Sequence, residues 1–81
     1  MFSENTNKGY EDIDVAATGD LIYQRMQNRG MEIRDMSNAL GVSFQAVHGY
    51  IHGYRLPSIP HLYAMSKILK TAMEDLLVMR Y

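Results

Sequence analysis

The chain of 81 residues contains no cysteine, which removes disulfides and thiolate metal sites from consideration and fits a reducing compartment. Long apolar runs are missing as well. No stretch approaches the ~18 residues that a membrane span needs, and the amino terminus has no basic-then-apolar leader pattern. Cytoplasmic residence with no membrane partner is the expectation. Neither sign of charge is in large excess, because the formal net charge is −1. Proline is scarce, and both copies, Pro57 and Pro60, mark a single break.

What is present is enough for one small core. Hydrophobic residues make up 47% of the chain, an ordinary share for a folded domain. Charge is unevenly placed. Residues 1–20 carry Lys8 against Glu4, Glu11, Asp12, Asp14 and Asp20, whereas residues 21–81 carry seven bases against four acids. Residues 1–12 are polar and aperiodic, which predicts a flexible acidic arm ahead of a mildly basic domain over 13–81. Such a domain allows a polyanion partner without demanding one.

Local signals predict five short helices and no strand, an all-α bundle. Asp14 is placed to cap a first helix from about Val15 to Asn28, ended by Gly30, with Ile22 and Met26 inward and Leu21 beside them. Gly19 within it is a soft spot costing ~1 kcal/mol relative to alanine, which allows a later start. A second helix runs from about Ile33 to Leu40, with Ile33, Met36, Ala39 and Leu40 inward. Pro57 forbids continuation of the third helix, and Ser58 caps a fourth that has Pro60 in its first turn. Ile59, Leu62, Tyr63, Ser66 and Leu69 form the fourth helix's stripe, with Met65 alongside. After Lys70-Thr71-Ala72, a last helix is expected from Met73 to Met79 with Met73, Leu76 and Leu77 inward.

The third helix is the chain's candidate working surface. Gly41 makes a tight turn, Ser43 caps the helix and Gly53 closes it. At 100° per residue, Ala46, Val47, Tyr50 and Ile51 share one arc. Phe44, Gln45, His48 and His52 share the opposite arc, with Gly49 at its edge. An amphipathic helix usually turns charges outward, whereas this one turns out a ring, an amide and two imidazoles. His48 and His52 have the i, i+4 spacing of a metal-chelating pair, but no third ligand stands at a suitable spacing, so solvated or nucleic-acid-facing histidines are the expectation and no metal is assigned. Tyr50 and Tyr63 are expected in or near the core, and Tyr54 exposed. Catalysis has no foothold: no paired carboxylates, no Gly-rich phosphate loop and little room for a cleft. Neither a cofactor nor a small-molecule substrate is expected.

Read together, Arg29-Gly30-Met31, Leu40-Gly41-Val42-Ser43, Ala46-Val47, Gly53, Leu56-Pro57-Ser58, Leu62, Lys67, Leu69 and Glu74-Asp75-Leu76-Leu77 resemble the Cro/C1-type (XRE) helix-turn-helix regulators. The resemblance runs from Arg29 to Leu77 without a gap. It implies a compact lambda-repressor-like bundle whose third helix enters the DNA major groove, in a small repressor or other transcription regulator that binds a two-fold operator as a homodimer. Carried over by motif, the base-contacting positions are Phe44, Gln45 and Gly49, with His48 near them. Gln45 suits the role, since its amide can bond bidentately to the adenine edge. The phosphate neighbours are Arg34 and Arg55, with Ser43, His52 and Tyr54 as further donors. The dimer surface is expected at the last helix and carboxyl end, through Val78, Met79 and Tyr81.

The chain departs from that family at telling places. Glu32 and Ile33 stand where a hydroxyl cap and a phosphate-gripping glutamine are usual, and Gly49 stands where a long side chain is common. Few cations predict modest affinity with a shallow salt dependence. An arginine–glutamate pair usual between the first and third helices is replaced by Met26 and Ile51, and these two are expected to meet in the core. The same departures support a second reading, a helix-turn-helix fold repurposed as a protein-interaction module, an antirepressor or assembly subunit, in which Phe44 and Ile33 lie on an exposed apolar patch.

Overall fold

The computed structural model describes residues 12–80. Four α-helices follow in order: α1 (Val15–Asn28), α2 (Ile33–Leu40), α3 (Phe44–Ile51) and α4 (Ile59–Leu69). The capping residues read from the sequence are in place. The Asp14 carboxylate accepts from the Ala17 amide at 2.9 Å, Ser43 Oγ from the Ala46 amide at 3.1 Å and Ser58 Oγ from the His61 amide at 3.4 Å. Each satisfies an N–H that has no partner within its helix. At the start of α2 the bond runs backward, with the Asp35 carboxylate accepting from the Glu32 amide at 2.8 Å. Helices of eight residues are marginal on their own, so α2 and α3 depend on packing.

That packing is centred on α3, which contacts α1 on one side and α2 on the other, while α4 packs on α2. One cluster fills the space between them, and Ile22, Met26, Met36, Val47, Leu62, Met65 and Leu76 are shut off from solvent within it. Full burial of such a side chain contributes about 1.5–3 kcal/mol. Met26 and Ile51 both belong to this cluster, with Ile51 at 5% exposure, so neither expected partner faces water. Gly19 is no soft spot, because α1 starts at Val15 regardless. A Cβ on Gly19 would stand 2.3 Å from the Tyr50 carbonyl oxygen, so the missing side chain is what lets α1 and α3 approach.

The expected fifth helix from Met73 to Met79 is not formed. A single 3₁₀ turn, Met73–Asp75, drops Leu76 into the core, and the chain then extends. Seven residues could gain little by propagating a helix. They gain more by pairing with the start of α1: Ile13 and Met79 form an antiparallel bridge, the Asp14 amide donates to the Val78 carbonyl at 2.7 Å, and the Arg80 amide donates to the Asp12 carbonyl at 2.7 Å. The Val78 amide donates to the hydroxyl of Thr18, which is fully buried, at 2.9 Å. Val78 is therefore half-buried and bonded, and of the two described residues of the expected carboxyl-terminal surface Met79 is the exposed one. Tyr81 and residues 1–11, most of the expected arm, lie outside the described residues.

Three side chains expected inward face solvent. Ala39 lies about 100° from the α2 face formed by Met36, Ser37 and Leu40. On α4 the buried face is Leu62, Met65, Ser66 and Leu69, and Tyr63 falls well outside that arc at 55% exposure. Ile59, in the first turn, projects past the end of the core.

Candidate nucleic-acid interface

The helix–turn–helix itself is built from α2, the turn and α3. Gly41 adopts the left-handed conformation at φ 72°, which costs glycine nothing, and lets the amides of both Gly41 and Val42 donate to the Ser37 carbonyl, at 2.9 and 3.1 Å. Val42 packs against the core, so the turn is fixed at both its backbone and its side chain. Ala46, Val47, Tyr50 and Ile51 anchor α3 inward as the periodicity predicts.

With that face buried, the opposite one is fixed in direction. Phe44 is 47% exposed, Gln45 and His52 are exposed and His48 is half-buried. The rings form a row rather than isolated side chains. Phe44 stacks on His48 with centroids 6.3 Å apart, His48 meets His52 edge-on at 4.0 Å, and Tyr54 lies 6.4 Å from His48 and 6.1 Å from His52. Tyr54 is 76% exposed, as expected. Among the described residues, no group of three or more histidines, cysteines or carboxylates converges on this pair.

The candidate phosphate neighbours bracket the row. Ser43 and Arg34 are exposed at its amino-terminal end, and Arg55 is exposed beyond its carboxyl-terminal end. Gly49 is not presented on the outer face. It is buried because Tyr54 and Arg55 lie against it, so the edge position suggested by helical geometry is covered by the chain that follows.

One feature of this face was not legible in the helix pattern. An open groove of about 590 Å³ runs beside the start of α3, lined by Tyr23 and Gln27 of α1 together with Met31, Ile33, Arg34 and Phe44. Tyr23 follows the buried Ile22 and is 39% exposed, and that adjacency of an aromatic to a core position was its only signal. The groove mixes apolar lining with Glu32 and Arg34, charges of opposite sign.

Among the described residues, no helix is long and apolar enough to cross a membrane. Comparison with solved structures finds the restriction-modification controller protein C.AhdI from Aeromonas hydrophila, at 17% identity and a TM-score of 0.72, covering 78% of this chain and 96% of that one. Two structures of HppE, a cobalt(II) form with substrate and an iron(II) form, align at 18% identity and a TM-score of 0.70 over 80% of this chain. They match across 36% and 35% of those longer chains, so the likeness covers about a third of each. At these identities the likeness is one of fold. No curated protein sequence matches the chain. A helix-turn-helix family profile matches residues 22–76, most of the described structure. The chain belongs to the Cro/C1-type (XRE) helix-turn-helix family of DNA-binding transcription regulators.

Proposed function

We propose that this protein regulates transcription by sequence-specific binding to double-stranded DNA, as a homodimer with α3 in the major groove. The observation that carries the reading is the fixed outward face of α3, where Phe44, Gln45 and His48 project from a helix anchored on its other side by Val47, Tyr50 and Ile51. Gln45 reads an adenine edge, Phe44 packs on a thymine methyl and His48 donates to a neighbouring base. Arg34 and Arg55, with His52, Tyr54 and the Ser43 hydroxyl, hold the flanking phosphates. The likeness to a controller protein supports a regulatory role for this bundle.

Selection of sites from a random DNA pool tests the proposal. Enrichment of two related half-sites, with centres about 34–36 Å apart or a multiple of that, is the expected result. A pool that shows no enrichment, together with no mobility shift at low salt, overturns it. Sedimentation of the free protein and its complex tests the homodimer separately.

A second reading is favoured by one observation, the groove beside α3, in which Phe44, Tyr23, Met31 and Ile33 offer apolar surface. Under that reading the groove receives a protein. Duplex binding that weakens in Phe44→Ala favours DNA, whereas a wild-type chain that binds no duplex favours the protein partner.

A further inference from the structure

The chain leaving α3 folds back onto the helix it has just completed. Gly53 takes φ 77°, its amide donates to the Tyr50 carbonyl at 3.2 Å, and the Tyr54 amide donates to the Gly49 carbonyl at 2.9 Å. These paired bonds reverse a chain at a helix carboxyl terminus. The reversal lays the next two side chains against α3, so that a Cβ on Gly49 would stand 3.7 Å from Arg55 Nε and 4.0 Å from Tyr54 Cβ. The Arg55 guanidinium carbon lies 5.8 Å from the centroid of the Tyr50 ring, inside the roughly 6 Å range over which a ring face attracts a cation. Tyr50 is held in turn, since its ring is buried and its hydroxyl lies 3.3 Å from His61 Nδ1 on α4. Arg55 remains exposed to solvent.

We propose that Gly49 and Tyr50 are positioning residues for Arg55, together forming a seat that aims its guanidinium at a phosphodiester of bound DNA. The inference rests on the DNA-binding reading above. A guanidinium is planar, so one face can lie on a ring while its edge N–H groups stay available to two phosphate oxygens. A surface arginine loses much rotamer freedom when it binds a phosphate, and a seated one has lost part of it already. The effect matters in this protein because the candidate interface has few cations. A Cβ at position 49 would sit in ordinary contact with Arg55 and Tyr54, so it is the further atoms of a long side chain that would crowd them. The ammonium of a lysine at position 55 would keep the charge without the planar, two-pronged edge that a phosphate accepts from.

The test uses the full chain and a mixed-sequence duplex of about 30 base pairs, titrated between about 50 and 200 mM salt. Arg55→Ala is expected to flatten the salt dependence of log affinity by about 0.9, the value of one phosphate contact. Tyr50→Leu and Gly49→Gln are each expected to weaken binding about two- to five-fold. The Tyr50→Leu effect should vanish in an Arg55→Ala background, because its route to DNA is through Arg55, whereas Gly49→Gln also crowds Tyr54 and should keep part of its loss there. Equal Tyr50→Leu losses in both backgrounds overturn the seat while leaving DNA binding intact. A wild-type chain that binds no duplex at low salt overturns the DNA-binding reading and the phosphate role of the seat with it. The free protein provides a second measurement. The Arg55 Nε–H proton resonance should be shifted upfield by the Tyr50 ring current and move downfield in Tyr50→Leu, and an unmoved resonance overturns the seat without reference to DNA.

Discussion

The backbone amide of Val78 donates a 2.9 Å hydrogen bond to the hydroxyl of Thr18, 60 positions earlier in the chain. Thr18 is one of three buried polar side chains among the described residues, and this bond explains why a hydroxyl sits on the inner face of α1. It fastens the extended carboxyl-terminal segment to the helix that begins the domain. Thr18→Val keeps the shape and removes the acceptor, leaving an N–H without a partner. The expected cost is about 1–3 kcal/mol in a urea unfolding midpoint. A midpoint unchanged from wild type would show that the tail is not held by this bond.

Gly19→Ala should reverse the usual helix rule. In an exposed helix interior the exchange stabilises by about 1 kcal/mol. Here the new methyl would meet the Tyr50 carbonyl at 2.3 Å and the Ile51 carbonyl oxygen at 2.9 Å, backbone atoms that cannot swing away. Pushing α1 off α3 costs about 1–3 kcal/mol or more, and thermal unfolding reads the sign directly.

Met26 and Ile51 predict a coupled pair. Met26→Arg alone puts a charge into a fully buried site with no partner and should destabilise by about 3–5 kcal/mol. Adding Ile51→Glu should recover a large part of that loss if the two side chains face each other across α1 and α3. Additive losses in the double variant would place them apart within the cluster.

Gln45→Ala should relax preference at one base pair by about 1–3 kcal/mol while leaving thermal stability within about 0.5 kcal/mol of wild type, since the side chain is exposed. Binding measured against a series of single-base-pair variants of the selected site checks this. A uniform loss across all sequences would assign Gln45 to the phosphate backbone instead.

Signals that act over a few residues are readable in the sequence alone. Asp14, Ser43 and Ser58 each cap an amide three positions on, Gly41 permits a left-handed turn, and the apolar positions of α3 recur at helical spacing. Those signals determined four helices and their approximate bounds, while the family was legible only as a resemblance carried by the motif residues from Arg29 to Leu77. They also determined which α3 side chains turn outward, because fixing the buried arc of a helix fixes the other one.

Tertiary structure alone decided the rest, because it depends on partners distant in sequence. Whether Met73–Met79 would be helix or extended chain turned on hydrogen bonds to Asp14 and Thr18, which no local pattern encodes. Gly19 looked like a defect until Tyr50 was brought against it, and Gly49 looked like a missing contact until Tyr54 and Arg55 folded over it. A glycine has no side chain to declare its role in the sequence. At Gly19 the meaning comes from the backbone atoms that stand where a Cβ would have been, and only the folded chain puts them there.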